Sequence, residues 1–286
     1  MANKTQTPKQ TVLITGCSDG GMGAALAIAL HQAGLHVYAT ARNPAKMQNL
    51  SSIGIQTLVL DVQSPSSITE CVAKIPALDI LINNAGGQYV MPVVDVDIDE
   101  AKKLYDLNVW SHLAVTQAFL PLLLKSSNGM IVNHTSVAAV TTIPFQAIYN
   151  SSKAAFSMIS DSMRLELQAF NIKVVELKTG VVRTNLIKNL QESSKASLPK
   201  GSIYEPAREV VDKAIKQEGF EGQGLLAQDW ADAVARDLLK ANPPSVIWRG
   251  ESACLARVST VMPYGMFDGM VKKMSGLGAA EEMVRK

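Results

Sequence analysis

Tyr149 and Lys153 stand four residues apart in "YNSSK", inside a run of helix-forming residues. On a helix the two side chains share a face, one turn apart. A free phenol has a pKa of about 10, too high for acid–base work near neutrality. An ammonium one turn away stabilises the phenolate and pulls that value down, which makes Tyr149 a candidate general acid or base. Ser136 lies upstream in "HTSVA", just past an apolar run that predicts a strand, where its hydroxyl could hydrogen-bond a carbonyl oxygen. A Y-x-x-x-K pair alone is common in helices. With the serine upstream and a glycine-rich loop near the start of the chain, chance is a poor explanation.

That loop is "TGCSDGGMG", Thr15 to Gly23. Its glycines allow positive φ and close backbone approach to a pyrophosphate. The helix predicted beyond them offers free N–H groups and a partial positive charge. A T-G-x-x-x-G-x-G loop would place glycine where Met22 stands, so the loop is one residue long, with Gly21 and Gly23 displaced by one. Gly16, Ser18, Gly21, Met22 and Gly23 are expected to hold the phosphates. A carboxylate beside a pyrophosphate is unfavourable, so Asp19 is expected to point away or to cap the helix. At the end of the second predicted strand, "YATARN" has Ala41 and Arg42 where NAD-binding proteins usually carry an acid for the ribose hydroxyls. A guanidinium suits a 2′-phosphate through bidentate, charge-assisted bonds, so the cofactor expected is NADP(H).

The elements that must position these groups alternate. "TVLIT", "LHVYAT", "IQTLVLD", "ALDILINN", "GMIVNHTS" and "IKVVELK" are short apolar runs separated by helical stretches, and "PPSVIWRG" adds a seventh. The intervening helices are predicted in "GAALAIALHQAG", "NPAKMQNL", "PSSITECVAKI", one long stretch "EAKKLYDLNVWSHLAVTQAFLPLLL", and "AIYNSSKAAFSMISDSMRLELQAF". Strands apolar throughout and alternating with helices describe an α/β protein, a Rossmann-type doubly wound parallel sheet of about seven strands with helices on both faces. Ligands then bind at the carboxyl ends of the strands. After Lys178 the pattern weakens. Residues 185–206, rich in Ser and Lys, form an excursion expected to be a mobile lid, with Leu186, Ile187, Leu190 and Leu198 closing on an apolar substrate and Lys188, Lys195 and Lys200 available to an anion. A helix "AREVVDKAIKQ" and an amphipathic tail follow. No linker divides the chain, so residues 1–286 are expected to form a single domain.

Composition narrows the classes further. The net charge is +2 and no Lys/Arg-rich run occurs, which gives nucleic acid no electrostatic footprint. No apolar run reaches the length of a membrane span, and "MANKTQTPKQ" carries no apolar signal core. Three scattered cysteines predict free thiols in a reducing compartment, and the four histidines show no metal-ligand spacing. A cytoplasmic protein without a metal is expected.

With "TG…GMG", "LDV" at Leu60–Val62, "NNAG" at Asn83–Gly86, "LNV" with Asn108, "TSVA", "YNSSK" and "TGVVRT" at Thr179–Thr184, the chain resembles the short-chain dehydrogenase/reductase family over nearly its whole length. The resemblance implies a catalytic tetrad of Asn108, Ser136, Tyr149 and Lys153, with Asn108 holding a water that links Lys153 to a proton relay. It implies adenine contacts from Asp61 and Val62. Asn84, Ala85 and Gly86 would lie along the adjoining ribose region, and Tyr149 and Lys153 at the nicotinamide ribose. Gly180, Val182 and Thr184 would meet the nicotinamide and phosphates. The usual Pro-Gly before the last motif is Thr179-Gly180 here. The long loop, "ATARNPAKM" and "VIWRG" are similar to a subgroup of fungal NADPH-dependent 1-acyldihydroxyacetone phosphate reductases.

The resemblance implies a reductase of hydrophobic or acylated ketones. Two alternatives stand beside it: an alcohol dehydrogenase oxidising a steroid- or retinoid-like substrate, and an NADP-sensing regulator on the same fold. The expected partners are a small hydrophobic ketone or alcohol and further copies of the chain, as homodimer or homotetramer, with peripheral lipid contact compatible. His134, two residues before Ser136, is read as a packing or hydrogen-bonding group, and Cys17 as a small residue in a tight turn. Met262, Met266, Met270 and Met274 form a helical face expected to be core or a subunit contact.

Overall fold

Strands as short and apolar as "TVLIT" bury themselves only by pairing side by side beneath helices. The computed structural model describes residues 9–192 and 197–285. The first eight residues of the polar N-terminus, and Lys195 with the rest of 193–196 in the expected lid, lie outside the described residues. β1 (Thr11–Thr15), β2 (His36–Ala41), β3 (Gln56–Val59), β4 (Ile80–Asn83), β5 (Met130–His134) and β6 (Lys173–Thr179) form a parallel sheet. A two-residue ribbon pairs β7 (Val182–Arg183) with β8 (Leu225–Leu226), and β9 (Val246–Arg249) completes the main sheet beside β6. The seven-stranded order is β3-β2-β1-β4-β5-β6-β9. The direction of winding reverses between β1 and β4, so a crevice opens at their carboxyl ends.

Twelve α-helices are described: α1 (Met22–Gln32), α2 (Gln48–Ser52), α3 (Pro65–Ala73), α4 (Ile98–Tyr105), α5 (Ser111–Leu123), α6 (Ala147–Glu166), α7 (Leu186–Gln191), α8 (Arg208–Ile215), α9 (Ala227–Leu238), α10 (Ala253–Ser259), α11 (Asp268–Met274) and α12 (Leu277–Val284). On one face of the sheet, Leu26 and Leu30 of α1 and Trp230 and Val234 of α9 pack on Val12, Ile14 and Val132. On the other, Val115 and Phe119 of α5 and Met163 of α6 pack on Leu13, Leu81 and Ile131.

Several elements differ from the sequence-based expectations. The long helix over "EAKKLYDLNVWSHLAVTQAFLPLLL" is interrupted by a π-helical turn, Asp106–Trp110, around Asn108. "NPAKMQNL" becomes a 3₁₀ turn, Pro44–Met47, before the short α2. Helix α9 was not anticipated, although Trp230, Val234 and Leu238 recur at helical spacing, and all three are buried.

The excursion is better anchored than its composition implies. Leu190 and Leu198 are buried in a third apolar cluster with Phe145, Val211 and Ile215. Arg208 donates to the carbonyls of Leu198 and Pro199 at 2.7 and 2.9 Å, and the Leu198 amide donates to Asp212 at 2.7 Å. Leu190 and Leu198 therefore serve packing rather than a substrate wall, and only Leu186 and Ile187 face the crevice. Lys188 pairs with Glu192 at 3.9 Å, and Lys200 is exposed. The expected methionine face is neither core nor one helical face: Met262, Met266, Met270 and Met274 are all exposed, Met262 and Met266 lie in turns between α10 and α11, and α11 buries none of its residues.

Candidate active site

The crevice is lined from the carboxyl ends of β4, β5 and β6 and from helices α1, α6 and α7. Ser136 follows β5, Thr179 ends β6 with Gly180 next, Asn84 and Gly86 follow β4, Met22 opens α1, and α6 brings Tyr149 and Lys153. Helix α6 starts at Ala147, so Tyr149 lies in its first turn and Lys153 in the next. Ser136, Tyr149 and Lys153 line one cleft, as their types and spacing suggested.

Their hydrogen bonds give each a distinct state. The Ser136 hydroxyl donates to the Thr179 carbonyl at 3.3 Å and accepts from the Ala138 amide at 3.1 Å. Lys153 is buried, its Nζ donating to the His134 carbonyl at 3.1 Å. Burial pushes the Lys153 pKa down to about 8. Tyr149 departs from the expectation of a phenol drawn toward neutrality. Burial raises its pKa, and the Ser136 hydroxyl beside it, which pulls the other way, does not offset this. The lysine also spends one donor on a backbone carbonyl, so it is not dedicated to the phenol. The phenol is therefore disfavoured as phenolate in this cleft.

Asn108 is fully buried in the π turn. Its Oδ1 accepts from the Gly87 amide at 3.0 Å, and its Nδ2 donates to the Gly87 carbonyl at 3.0 Å and to Ser152 Oγ at 3.1 Å. Ser152 in turn donates to the Tyr149 carbonyl at 2.7 Å. The carboxamide thus braces the turn after "NNAG" against the start of α6. Both Nδ2 protons of Asn108 are thereby used within the protein.

The glycine loop fits an anionic dinucleotide. Gly16 adopts φ +74° and packs so closely on the next loop that a Cβ would lie 2.8 Å from Ala85 Cα. At Gly23 a Cβ would lie 2.5 Å from Asn84 Nδ2 and 2.6 Å from the Gly16 carbonyl oxygen. Gly21 is the N-cap of α1 with no side-chain cap, and no acidic residue stands in the first turn, so the helix start is free for an anion. Asp19 points away: its carboxylate accepts from the Asn49 amide at 3.4 Å, and it does not cap α1. Ser18 is half-buried in this loop. Arg42 is exposed just beyond β2 and forms no ion pair among the described residues, so its guanidinium is available at the rim. Asp61 accepts from the Gln63 amide at 3.0 Å beside the buried Val62. Val182 and Thr184 line the cleft beyond Gly180.

Asn84 is more committed than expected. Its Nδ2 donates to the carbonyls of Thr15 and Gly16 at 2.7 and 3.2 Å, and its Oδ1 meets His134 Nδ1 at 2.9 Å. Both Nδ2 protons of Asn84 are thereby used within the protein. The Thr15 hydroxyl, which sequence reasoning passed over, accepts from the amides of Asn84 and Ala85 at 2.9 Å each. Ser152, Gly87 and Thr179 were also missed. Only Thr179 carried a signal, as the residue standing in place of proline. Cys17 is fully buried, its thiol pushed up to about 12 by burial, and it donates to the Ile14 carbonyl at 3.3 Å.

The parallel sheet order, the switch-point crevice and the Ser–Tyr–Lys convergence define a nucleotide-dependent oxidoreductase architecture. The short chain dehydrogenase family model matches residues 10–195. A short-chain dehydrogenase/reductase of Pestalotiopsis microspora is 53% identical over 277 residues, covering 97% of this chain and 98% of that protein. The NADPH-dependent 1-acyldihydroxyacetone phosphate reductase of Schizosaccharomyces pombe is 34% identical over 277 residues, covering 91% and 92%. Among solved structures, a short-chain dehydrogenase from Streptomyces avermitilis superposes with TM-score 0.76 at 23% identity, covering 97% of this chain and 98% of that one. A short chain dehydrogenase from Burkholderia cenocepacia, solved in complex with NADP, superposes with TM-score 0.70 at 22% identity, covering 93% and 98%. The chain belongs to the short-chain dehydrogenase/reductase family, and is an NAD(P)-dependent oxidoreductase. No helix among the described residues is long and apolar enough to cross a membrane.

Proposed function

We propose that the protein is an NADPH-dependent reductase of ketones on hydrophobic or acylated substrates. The observation that carries this is the meeting of a protonated Tyr149, Ser136 and a buried Lys153 in one cleft whose wall includes Met22, Leu186 and Ile187. When bound, a reduced nicotinamide supplies the hydride that goes to the carbonyl carbon. Ser136 turns its hydroxyl from the Thr179 carbonyl to the substrate oxygen and orients it. Tyr149 gives its proton to that oxygen as negative charge develops there, and Lys153, as ammonium, stabilises the phenolate left behind. The bond formed at carbon is C–H and at oxygen O–H, and the products are an alcohol and the oxidised cofactor. The pyrophosphate would lie at the uncapped start of α1, and Arg42 would take a 2′-phosphate. The S. pombe relative, named for an acylated ketone phosphate, supports the substrate class.

Tyr149→Phe tests the assignment. Ketone-dependent NADPH consumption should fall about a hundredfold or more, the scale of a positioned acid, while NADPH binding persists. Near wild-type turnover in the variant would mean that another group gives the proton.

A further inference from the structure

His134 has no part in the proton transfer, yet it is buried at the centre of the crevice floor. Its Nδ1 lies 2.9 Å from Asn84 Oδ1 and its Nε2 lies 2.7 Å from Thr179 Oγ1. The Asn84 carboxamide is oriented independently, because its Nδ2 donates to the carbonyls of Thr15 and Gly16. Asn84 Oδ1 is therefore an acceptor, and Nδ1 of His134 must carry the proton. In the neutral ring Nε2 is then an acceptor, so the Thr179 hydroxyl donates to it. Burial holds the ring neutral, with a pKa lowered to about 3. Trp230 of α9 stacks on the imidazole, with centroids 5.4 Å apart and planes at 19°, which fixes its orientation.

Thr179 is the residue that stands where the family usually has proline. Proline fixes its own φ and carries no hydroxyl. Here the hydroxyl is bound to His134, and the carbonyl of the same residue accepts from Ser136. The next residue, Gly180, is pinned by its amide on the Arg249 carbonyl at 2.8 Å, and a Cβ there would meet the Glu251 carbonyl. One unbroken chain of hydrogen bonds thus runs from the Gly16 carbonyl through Asn84, His134 and Thr179 to Ser136.

We propose that His134 is a positioning residue of the reduction site: as the Nδ1–H tautomer it ties the phosphate loop to Thr179, and through Thr179 it sets Ser136 and the Thr179–Gly180 turn. The inference rests on the reductase function proposed above. It differs from a packing role because it requires one donor and one acceptor on the side chain, not merely a ring of the right volume. A carboxamide supplies the same pair, so glutamine should replace the histidine where leucine cannot.

The test uses the full chain. In ¹⁵N-histidine spectra the His134 ring should show the neutral Nδ1–H tautomer, without added cofactor. His134→Leu and Thr179→Val should each lower kcat about tenfold or more, the scale for stranding a buried hydrogen-bonding partner, with smaller changes in ketone KM. The double variant should be no worse than His134→Leu alone, because Thr179→Val removes a bond that the leucine has already broken. His134→Gln should restore most of kcat. Binding of 2′,5′-ADP, which lacks the nicotinamide half, should be unchanged in Thr179→Val. An Nε2–H tautomer, additive losses, or a glutamine variant as impaired as leucine would overturn the proposal. Should His134→Leu fail to fold, the tautomer, Thr179→Val and His134→Gln still decide it. A wild-type protein that reduces no ketone refutes the functional proposal, whereas an active wild type with unchanged kcat in Thr179→Val refutes only this one.

Discussion

Arg42→Asp should exchange the cofactor preference. The side chain sits on the exposed rim just past β2, with no ion pair among the described residues, so its charge is free to be used by a ligand. Two unit charges about 4 Å apart interact by about 1 kcal/mol in bulk water and about 4 kcal/mol at an effective dielectric constant near 20. A rim site with bidentate, charge-assisted bonds falls between, at about 1.5–3 kcal/mol, or roughly ten- to a hundredfold in affinity. The substitution removes that attraction and adds repulsion, so kcat/KM with NADPH should drop by about a hundredfold. With NADH it should hold or rise, because a carboxylate after β2 can accept from the ribose hydroxyls. Arg42→Ala separates the two effects and should lose only about tenfold, on NADPH alone. Because the site is exposed, the wild-type KM for NADPH should also rise with added salt, and that dependence should flatten in both variants. Steady-state kinetics with both cofactors at two ionic strengths provide the measurement. Equal wild-type kcat/KM for NADH and NADPH, or an equal loss with both in Arg42→Asp, would refute the reasoning.

Two further outcomes follow from the geometry. Gly23→Ala drives a methyl group into Asn84 Nδ2 and the Gly16 carbonyl; overpacking of about 1–3 kcal/mol should lower Tm by about 2–10 °C and weaken NADPH binding, both measurable by thermal shift with and without cofactor. Lys153, at about 8 in the folded chain against 10.5 for a free lysine, should lose its proton within the working range, so the rate of reduction should fall as pH rises through about 8. The same depression means the unfolded chain binds more protons between those values. Stability should therefore rise from about pH 8 to 10.5, a gain that Lys153→Met should abolish in denaturant titrations.

Much of the fold was legible because its signals are local. Strand β1 and helix α1 are written in consecutive residues: three apolar residues between two threonines, a glycine turn, then an alanine-rich run that stops before Gly34, at φ +94°. The parallel order follows from alternation and the handedness of crossovers. Helix α9 was legible in principle through Trp230, Val234 and Leu238, but it follows a long stretch of weak periodicity that obscured it. The π turn at Asn108 left no such trace, since the apolar spacing on either side continues as an ordinary helix would. The exposure of Met270 and Met274 on α11 was equally hidden, because an apolar helical face looks the same in sequence whether or not anything covers it.

The sequence by itself determined which chemistry is present. Tyr149 and Lys153 sit one turn apart on a helix wherever that helix packs, and Arg42 follows the second strand whatever its neighbours. Tertiary structure decided how those groups are used. Asn84, His134 and Thr179 are 50 and 45 residues apart along the chain and meet only because β4, β5 and β6 lie side by side with their carboxyl ends level. The same packing lifts the Tyr149 pKa instead of lowering it, because desolvation of the half-buried phenol outweighs the influence of the Ser136 hydroxyl beside it. Hydrogen-bond partners and desolvation depend on which surfaces are brought together, and a linear pattern carries no record of that.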